Sequence, residues 1–149
     1  MVKQLSHLIA VFYFLVFSML VMSACNDSVF DDGIPLVYVH ETINLNNFQY
    51  QPLSVIGGFA YINGGVRGII VYRQTINKFI AFERNCTFQP MSECADVSVD
   101  NSTLFLVDSC CQSTFDFDGY PTGGPASFPL RKYNTFLDQN YLTITSDIQ

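Results

Sequence analysis

Tryptophan is absent from this chain of 149 residues, histidine occurs twice, and only 13% of the residues are charged. Lysine and arginine number 7 against 13 aspartates and glutamates, a formal net charge of −6. A surface of that sign repels phosphate backbones and argues against nucleic acid as a partner. His7 lies in a stretch read below as a removable leader, so His40 is the one imidazole left to a mature domain. That shortage bounds any metal or acid–base chemistry, and no Ser-His-Asp set can be assembled. Helical periodicity, internal repeats and low-complexity tracts are missing too, and no apolar run reaches the roughly 20 residues of a spanning helix. What is present is apolar: 49% hydrophobic and 15% aromatic residues imply one globular core and exclude disorder, collagen-like repeats and coiled coil.

The chain opens with a single cation, Lys3, followed by a 15-residue apolar run from Leu8 to Met22 that ends at Ser23-Ala24-Cys25. This is the length and layout of a signal peptide. Met22-Ser23-Ala24-Cys25 resembles a bacterial lipobox, although Leu, Val or Ile is more usual where Met22 stands. The resemblance implies cleavage after residue 24 and acylation of Cys25, with two or three acyl chains holding the protein on a membrane, since one chain binds only reversibly. Residues 25–33 read as a short acidic tether, and 34–147 as the folded domain.

Within that domain, short β-rich runs alternate with turn residues, the pattern of an all-β antiparallel sandwich or barrel with almost no helix. Strands are expected from Ile34 to Leu45, Phe59 to Ile62, Val66 to Arg73, Lys78 to Arg84, Asp96 to Asp100, Leu104 to Val107, Phe115 to Phe117 and Tyr141 to Thr145. Asn63-Gly64-Gly65 marks a hairpin, because these residues tolerate positive φ. A second hairpin turns through Gln74 to Asn77. In Lys78 to Arg84, Phe79, Ala81 and Glu83 alternate with Ile80, Phe82 and Arg84. Phe59, Tyr61, Tyr72, Phe79 and Phe82 sit at strand spacing and read as core.

Besides Cys25 there are four cysteines, Cys86, Cys94, Cys110 and Cys111, an even number in a chain destined for an oxidising compartment. Two disulfides are the ordinary outcome. A zinc site is the alternative, but the spacing lacks the C-x2-C knuckles that wrap tetrahedral zinc. Thiol catalysis is weaker still, with no C-x-x-C and a distant histidine. Asp108, Asp116, Asp118 and Glu93 lack a calcium-loop spacing and read as carboxylates that solvate loops. Arg67, Arg73 and Arg84 read as partners in local ion pairs. His40 falls on an expected strand and reads as structural, and two N-glycosylation matches, at Asn85 and Asn101, read as accidental in a chain with a bacterial-type leader.

The second half of the chain resembles the Rieske [2Fe-2S] domain family. Asn85-Cys86-Thr87-Phe88 looks like the first ligand loop, C-x-H, and Ser109-Cys110-Cys111-Gln112-Ser113-Thr114-Phe115 looks like the second, C-x-C-H-G-S-x-F. Asp116 to Gly119, Gly124-Pro125-Ala126, Leu130 and Tyr133 then follow the family's F-D-x-x-G, G-P-A, L-x-x-Y pattern. The likeness covers residues 84–133 and implies a Rieske-like β domain with an inserted two-loop subdomain, over which the loop at Gly124, Pro125 and Ala126 packs.

The ligands themselves are not retained. Such a centre takes two Cys on one iron and two His on the other. By the resemblance, Cys86 stands at the first Cys, Phe88 at the first His, Asp108 at the second Cys and Cys111 at the second His. His40 cannot supply two imidazoles, so the resemblance implies a domain without its cluster and without another metal. The alternative is an atypical [2Fe-2S] centre on four thiolates, in an electron-transfer protein. In the family a disulfide often staples the two loops, and Cys110 occupies one of its positions. The resemblance therefore implies bridges Cys94–Cys110 and Cys86–Cys111, with Phe88 filling space left by iron and imidazole. Its functional implication is a lipid-anchored, non-enzymatic binding or structural module of the bacterial cell envelope, on the periplasmic face or outer membrane, with an envelope protein as its possible partner.

Overall fold

Three hairpin-linked strands organise the molecule, and the alternation of their side chains explains why. In the computed structural model, which describes residues 32–146, these are β2 (Phe59–Ile62), β3 (Ile69–Arg73) and β4 (Phe79–Glu83). Phe59 pairs with Tyr72 and Arg73 with Phe79, so the strands run antiparallel in register. Every residue of β4 is buried. Phe79 and Ala81 enter one core with Ile69 and Val71, while Ile80 and Phe82 enter a second core with Ile70. The central strands thus bury both faces, and successive residues serve different cores.

The first core is closed by segments far apart in sequence. β1 (His40–Asn44), β9 (Lys132–Asp138) and β10 (Tyr141–Thr145) join β4, β3 and β2 in a six-stranded antiparallel sheet ordered β1-β10-β9-β4-β3-β2. β9 is the seam, pairing with β10 along one edge and with β4 through Ala81–Tyr133 and Phe82–Lys132. A 3-10 helix, Phe48–Ser54, places Leu53 in this core. The second core lies under a four-stranded antiparallel sheet of β5 (Val97–Val99), β6 (Leu106–Asp108), β7 (Ser113–Phe115) and β8 (Pro121–Gly123). Val97, Leu106 and Phe115 fill it.

Among the described residues the all-β expectation holds, with one short 3-10 helix. Five particulars differ, one of them β6, which runs Leu106–Asp108 rather than Leu104 to Val107, with Leu104 exposed before it. The first strand is shorter than Ile34 to Leu45, because the ladder with β10 covers His40–Asn44 and extends back only to Val39, whose carbonyl accepts the Ser146 amide. β3 starts at Ile69 rather than Val66, because the turn runs on to Gly68 and the Val66 and Arg67 amides bond the Glu83 carboxylate. β7 starts at Ser113 and ends at Phe115, so Phe117 lies beyond it. β8 and β9 were not expected at all.

The tether expectation also shifts. Asp32 is buried against the domain, and Arg131 donates to both its carboxylate oxygens and to the carbonyls of Ile34 and Pro35. Asp32 and Gly33 therefore belong to the folded body, and a tether can begin only before them. The leader, Cys25 and the tether up to residue 31 lie outside the described residues. Among the described residues, no helix is long and apolar enough to cross a membrane.

Candidate functional site

Two loops at one end of the second core carry the chemistry. The first leaves β4, whose pairing persists beyond its end: Cys86 N–H donates to Ala95 O at 3.1 Å, and Val97 N–H to Arg84 O at 2.7 Å. Arg84 reinforces this stem through an ion pair to Asp96 at 2.7 Å and a bond to Val97 O. Arg67 donates to Asn85 Oδ1 and to the carbonyls of Ser92 and Glu93, while Arg73 bonds the carbonyls of Leu53, Ser54 and Ile76. Of the three arginines read as ion-pair partners, Arg84 is so paired, whereas Arg67 holds loop backbone and Arg73 holds the last carbonyls of the 3-10 helix and the turn at Ile76.

The second loop is the tight turn from β6 to β7. Asp108 Oδ1 accepts the Cys110 amide at 2.7 Å and the Cys111 amide at 3.4 Å. Gln112 closes the turn with φ of +62°, in the left-handed region that favours glycine. A third loop packs on both. Ala126 N–H donates to Ser113 Oγ at 3.1 Å, and Thr87 Oγ donates to Phe128 O at 2.8 Å. Gly124 lies so close to the second loop that a Cβ there would fall 2.5 Å from Ser113 Cα.

Cys94 and Cys110 form a disulfide joining the first two loops. Cys86 and Cys111 do not: they are free thiols with sulfurs 4.0 Å apart, and the second expected bridge is absent. Each sulfur has other company. Phe88 N–H donates to Cys86 Sγ at 3.5 Å, and the Cys111 thiol donates to Ser113 Oγ at 3.0 Å. Burial pushes the Cys86 thiol far above its ordinary range, and nearby Asp108 and Cys111 add to that push.

The chain matches no family model and no curated protein. Its chemistry must be read from the residues themselves.

Of the four positions aligned above with cluster ligands, three converge. Ligand atoms of Cys86, Asp108 and Cys111 lie within 4.8 Å of one another. Phe88 offers no donor and packs half-buried against the second core. The set does not fit a [2Fe-2S] cluster, which takes four cysteine or histidine ligands, because it holds two thiols and one carboxylate. The four-thiolate alternative loses Cys94 and Cys110 to their disulfide. His40 stands on β1, the far edge strand of the six-stranded sheet, with its ring stacked on Tyr38.

Asp108 departs from the solvated role expected of it. It is fully buried, and its Oδ2 has no N–H or O–H donor, with the Cys86 thiol beside the carboxylate. Asp116 and Asp118 do behave as loop residues: Asp116 Oδ1 accepts the Asp118 and Tyr120 amides, and Asp118 accepts from Gln74. Sequence reasoning also passed over Glu83. Fully buried, it accepts from the Val66, Arg67 and Asn85 amides and from the Tyr133 hydroxyl. Its signal was weak, since a carboxylate at the end of a strand usually faces water.

Proposed function

We propose that the chain is a membrane-anchored lipoprotein of the bacterial cell envelope, with a Rieske-like domain that has lost its iron–sulfur cluster and acts as a disulfide-stiffened binding or structural module. The observation that carries this reading is the donor set at the loop tip: Cys86, Asp108 and Cys111 converge there, and neither imidazole that a cluster needs is present. Three further features support the fold assignment. Cysteine-bearing loops follow β4 and β6, the segment around Gly124 to Phe128 packs on them, and Gln112 adopts positive φ at the position aligned with the family's glycine. The Cys94–Cys110 bridge joins the two loops without metal chemistry. This reading assigns no catalytic residue. Its anchor is Cys25, and the acidic charge balance favours an envelope protein over nucleic acid as partner.

The test is a preparation of the full chain from membranes without oxygen, assayed for iron, acid-labile sulfide and visible absorption, with mass spectrometry of the N-terminus. The expected result is no iron and no sulfide, with acyl chains on Cys25. Stoichiometric iron with sulfide would instead assign electron transfer through an atypical cluster. A cleaved chain whose Cys25 carries no acyl chains would remove the anchor.

A further inference from the structure

The orphaned oxygen of Asp108 is the strongest unexplained feature of the molecule. A fully buried carboxylate oxygen without a donor carries an uncompensated desolvation cost. The other oxygen is committed: Oδ1 is held by the Cys110 and Cys111 amides, which fixes the carboxylate plane. The loop therefore orients a carboxylate whose second oxygen meets no N–H or O–H donor, the Cys86 thiol being the side-chain donor beside the carboxylate. The Asp108 carboxylate and the Cys86 and Cys111 sulfurs form a cluster of three donor groups with one ligand atom of each within 4.8 Å of the others.

We propose that Cys86, Asp108 and Cys111 form a binding site for a single thiophilic divalent cation of the zinc type, with water in the fourth position. The inference stands on this geometry alone and does not depend on Rieske ancestry. Two sulfurs sharing a tetrahedral zinc at 2.3 Å lie about 3.8 Å apart. The sulfurs here are 4.0 Å apart, so thiolate binding needs almost no movement. A disulfide would have to draw them to about 2.05 Å and would still leave Oδ2 without a partner. The cation answers both observations at once.

The donor types select the ion. Two thiolates exclude magnesium and calcium, which take oxygen ligands, and three protein ligands plus water match the open class of zinc site. The surroundings are those of a held ligand set: the Phe88 amide donates to Cys86 Sγ, and Ser113 contacts Cys111 Sγ while bonding the third loop. Both thiols lose their protons to solvent on binding, so no oxidant or reductant is required. Cys111 is half-buried, which opens a route for the ion and its water. Once bound, the ion pins the second loop to the first beside the Cys94–Cys110 bridge.

The test uses the full chain in detergent, purified without oxygen and stripped with a chelator. Zinc is titrated against a competing indicator, and cobalt serves as a spectroscopic probe. One zinc per chain, a rise in melting temperature on zinc addition and thiolate-to-cobalt charge-transfer absorption are expected. Asp108→Asn and Cys111→Ser should each weaken affinity by roughly a hundredfold or more, since each removes one of three protein ligands. The Cys111→Ser variant should also lose about half of the charge-transfer intensity, because one of two thiolates is gone. Circular dichroism of the metal-free variants separates lost binding from lost folding, and the half-exposed Cys111 position supplies the informative variant if Asp108→Asn fails to fold. No zinc uptake by protein with two alkylatable thiols overturns the proposal. So does a Cys86–Cys111 disulfide in the isolated protein, or uptake undiminished in both variants. These results leave the cluster-loss reading standing, whereas iron with sulfide would overturn both.

Discussion

Tyr133 donates its hydroxyl to Glu83 Oε2 at 2.7 Å, joining two buried side chains 50 residues apart in sequence. The bond crosses from β9 to β4 at the seam of the large sheet. With three backbone amides on the same carboxylate, Glu83 has four donors in place of water. Such a network stabilises a buried anion only while it is complete. Burial, followed by the adjacent Glu83, pushes the Tyr133 hydroxyl well above its usual range, so it remains a donor at any physiological pH.

Removing that donor should therefore be costly. Tyr133→Phe is expected to lower stability by about 1–3 kcal/mol, the cost of a missing partner for a buried charged acceptor. Glu83→Gln should cost more, because an amide presents N–H groups to some of the same donors. Gly65→Ala belongs with them: its Cβ would fall 2.2 Å from Glu83 Oε2, at a residue with φ of +62°. Urea denaturation of the three variants checks this. A Tyr133→Phe protein as stable as the parent would show that water replaces the hydroxyl.

The Cys94–Cys110 bridge spans 16 residues. Chain-entropy arguments assign a loop of that size about 3 kcal/mol of stabilisation. Replacing both cysteines with serine should lower the melting temperature accordingly, and reducing the parent protein should have the same effect. Equal melting of oxidised and reduced protein would show that the loops are already held by Arg67 and the third loop.

Arg131 and Asp32 make a second long-range tie, and the carboxylate lies in a largely buried pocket. Asp32→Asn leaves the guanidinium partly buried without its counter-charge and is expected to cost about 2 kcal/mol, less than a fully buried pair would lose. Proteolysis should then trim the chain up to the β1 strand. Resistance equal to the parent would show that the carbonyls of Ile34 and Pro35 suffice.

Asp96 supplies a pH signature. Burial raises its carboxyl above the ordinary value, although Arg84 and Arg67 pull it down and Asp108 and Glu83 add to the rise. A carboxyl raised in the folded state contributes stability below its unfolded value and loses it as pH climbs through the folded value. Asp96→Asn should thus be no less stable than the parent near neutrality, with a flatter stability profile across the carboxylate range. Melting temperatures measured against pH decide it. A clear loss at neutral pH would mean that the ion pair with Arg84 outweighs burial.

At Gln112 the left-handed backbone is carried by a non-glycine residue. Gln112→Gly should stabilise the protein by up to about 1 kcal/mol, because glycine relieves the Cβ strain at positive φ. The opposing term is the Gln112 side-chain bond to Ser109 O at 2.6 Å. Destabilisation in thermal melts would show that this bond dominates the turn.

Strand alternation was legible where both faces of a strand are apolar or one is cleanly so. Phe79, Ala81 and Glu83 against Ile80 and Phe82 partition between the two faces of β4 as their spacing implies, and β10 has the expected ends, Tyr141 and Thr145. β9 was hidden because Asn134, Phe136 and Asp138 are exposed and the run Lys-Tyr-Asn-Thr-Phe mixes signals on both faces. β8 was hidden because Pro121, Thr122 and Gly123 read as turn residues; it survives as a short edge strand. At the site, the pairing of Cys94 with Cys110 was legible through a family likeness. The free state of Cys86 and Cys111 was not, since spacing cannot say whether adjacent sulfurs bond. Nor could sequence disclose that the Asp108 carboxylate turns inward, because that depends on the amides of Cys110 and Cys111.

The docking of Asp32 on Arg131 has a consequence for reach. Six residues, or seven Cα-to-Cα steps, separate Cys25 from Asp32, a span of at most about 25 Å when fully drawn out. With the proposed acyl chains on Cys25, the folded body cannot stray farther than that from the bilayer. Under that proposal a partner would have to be reachable from the lipid surface, a condition that a protein seated in or on the same membrane meets.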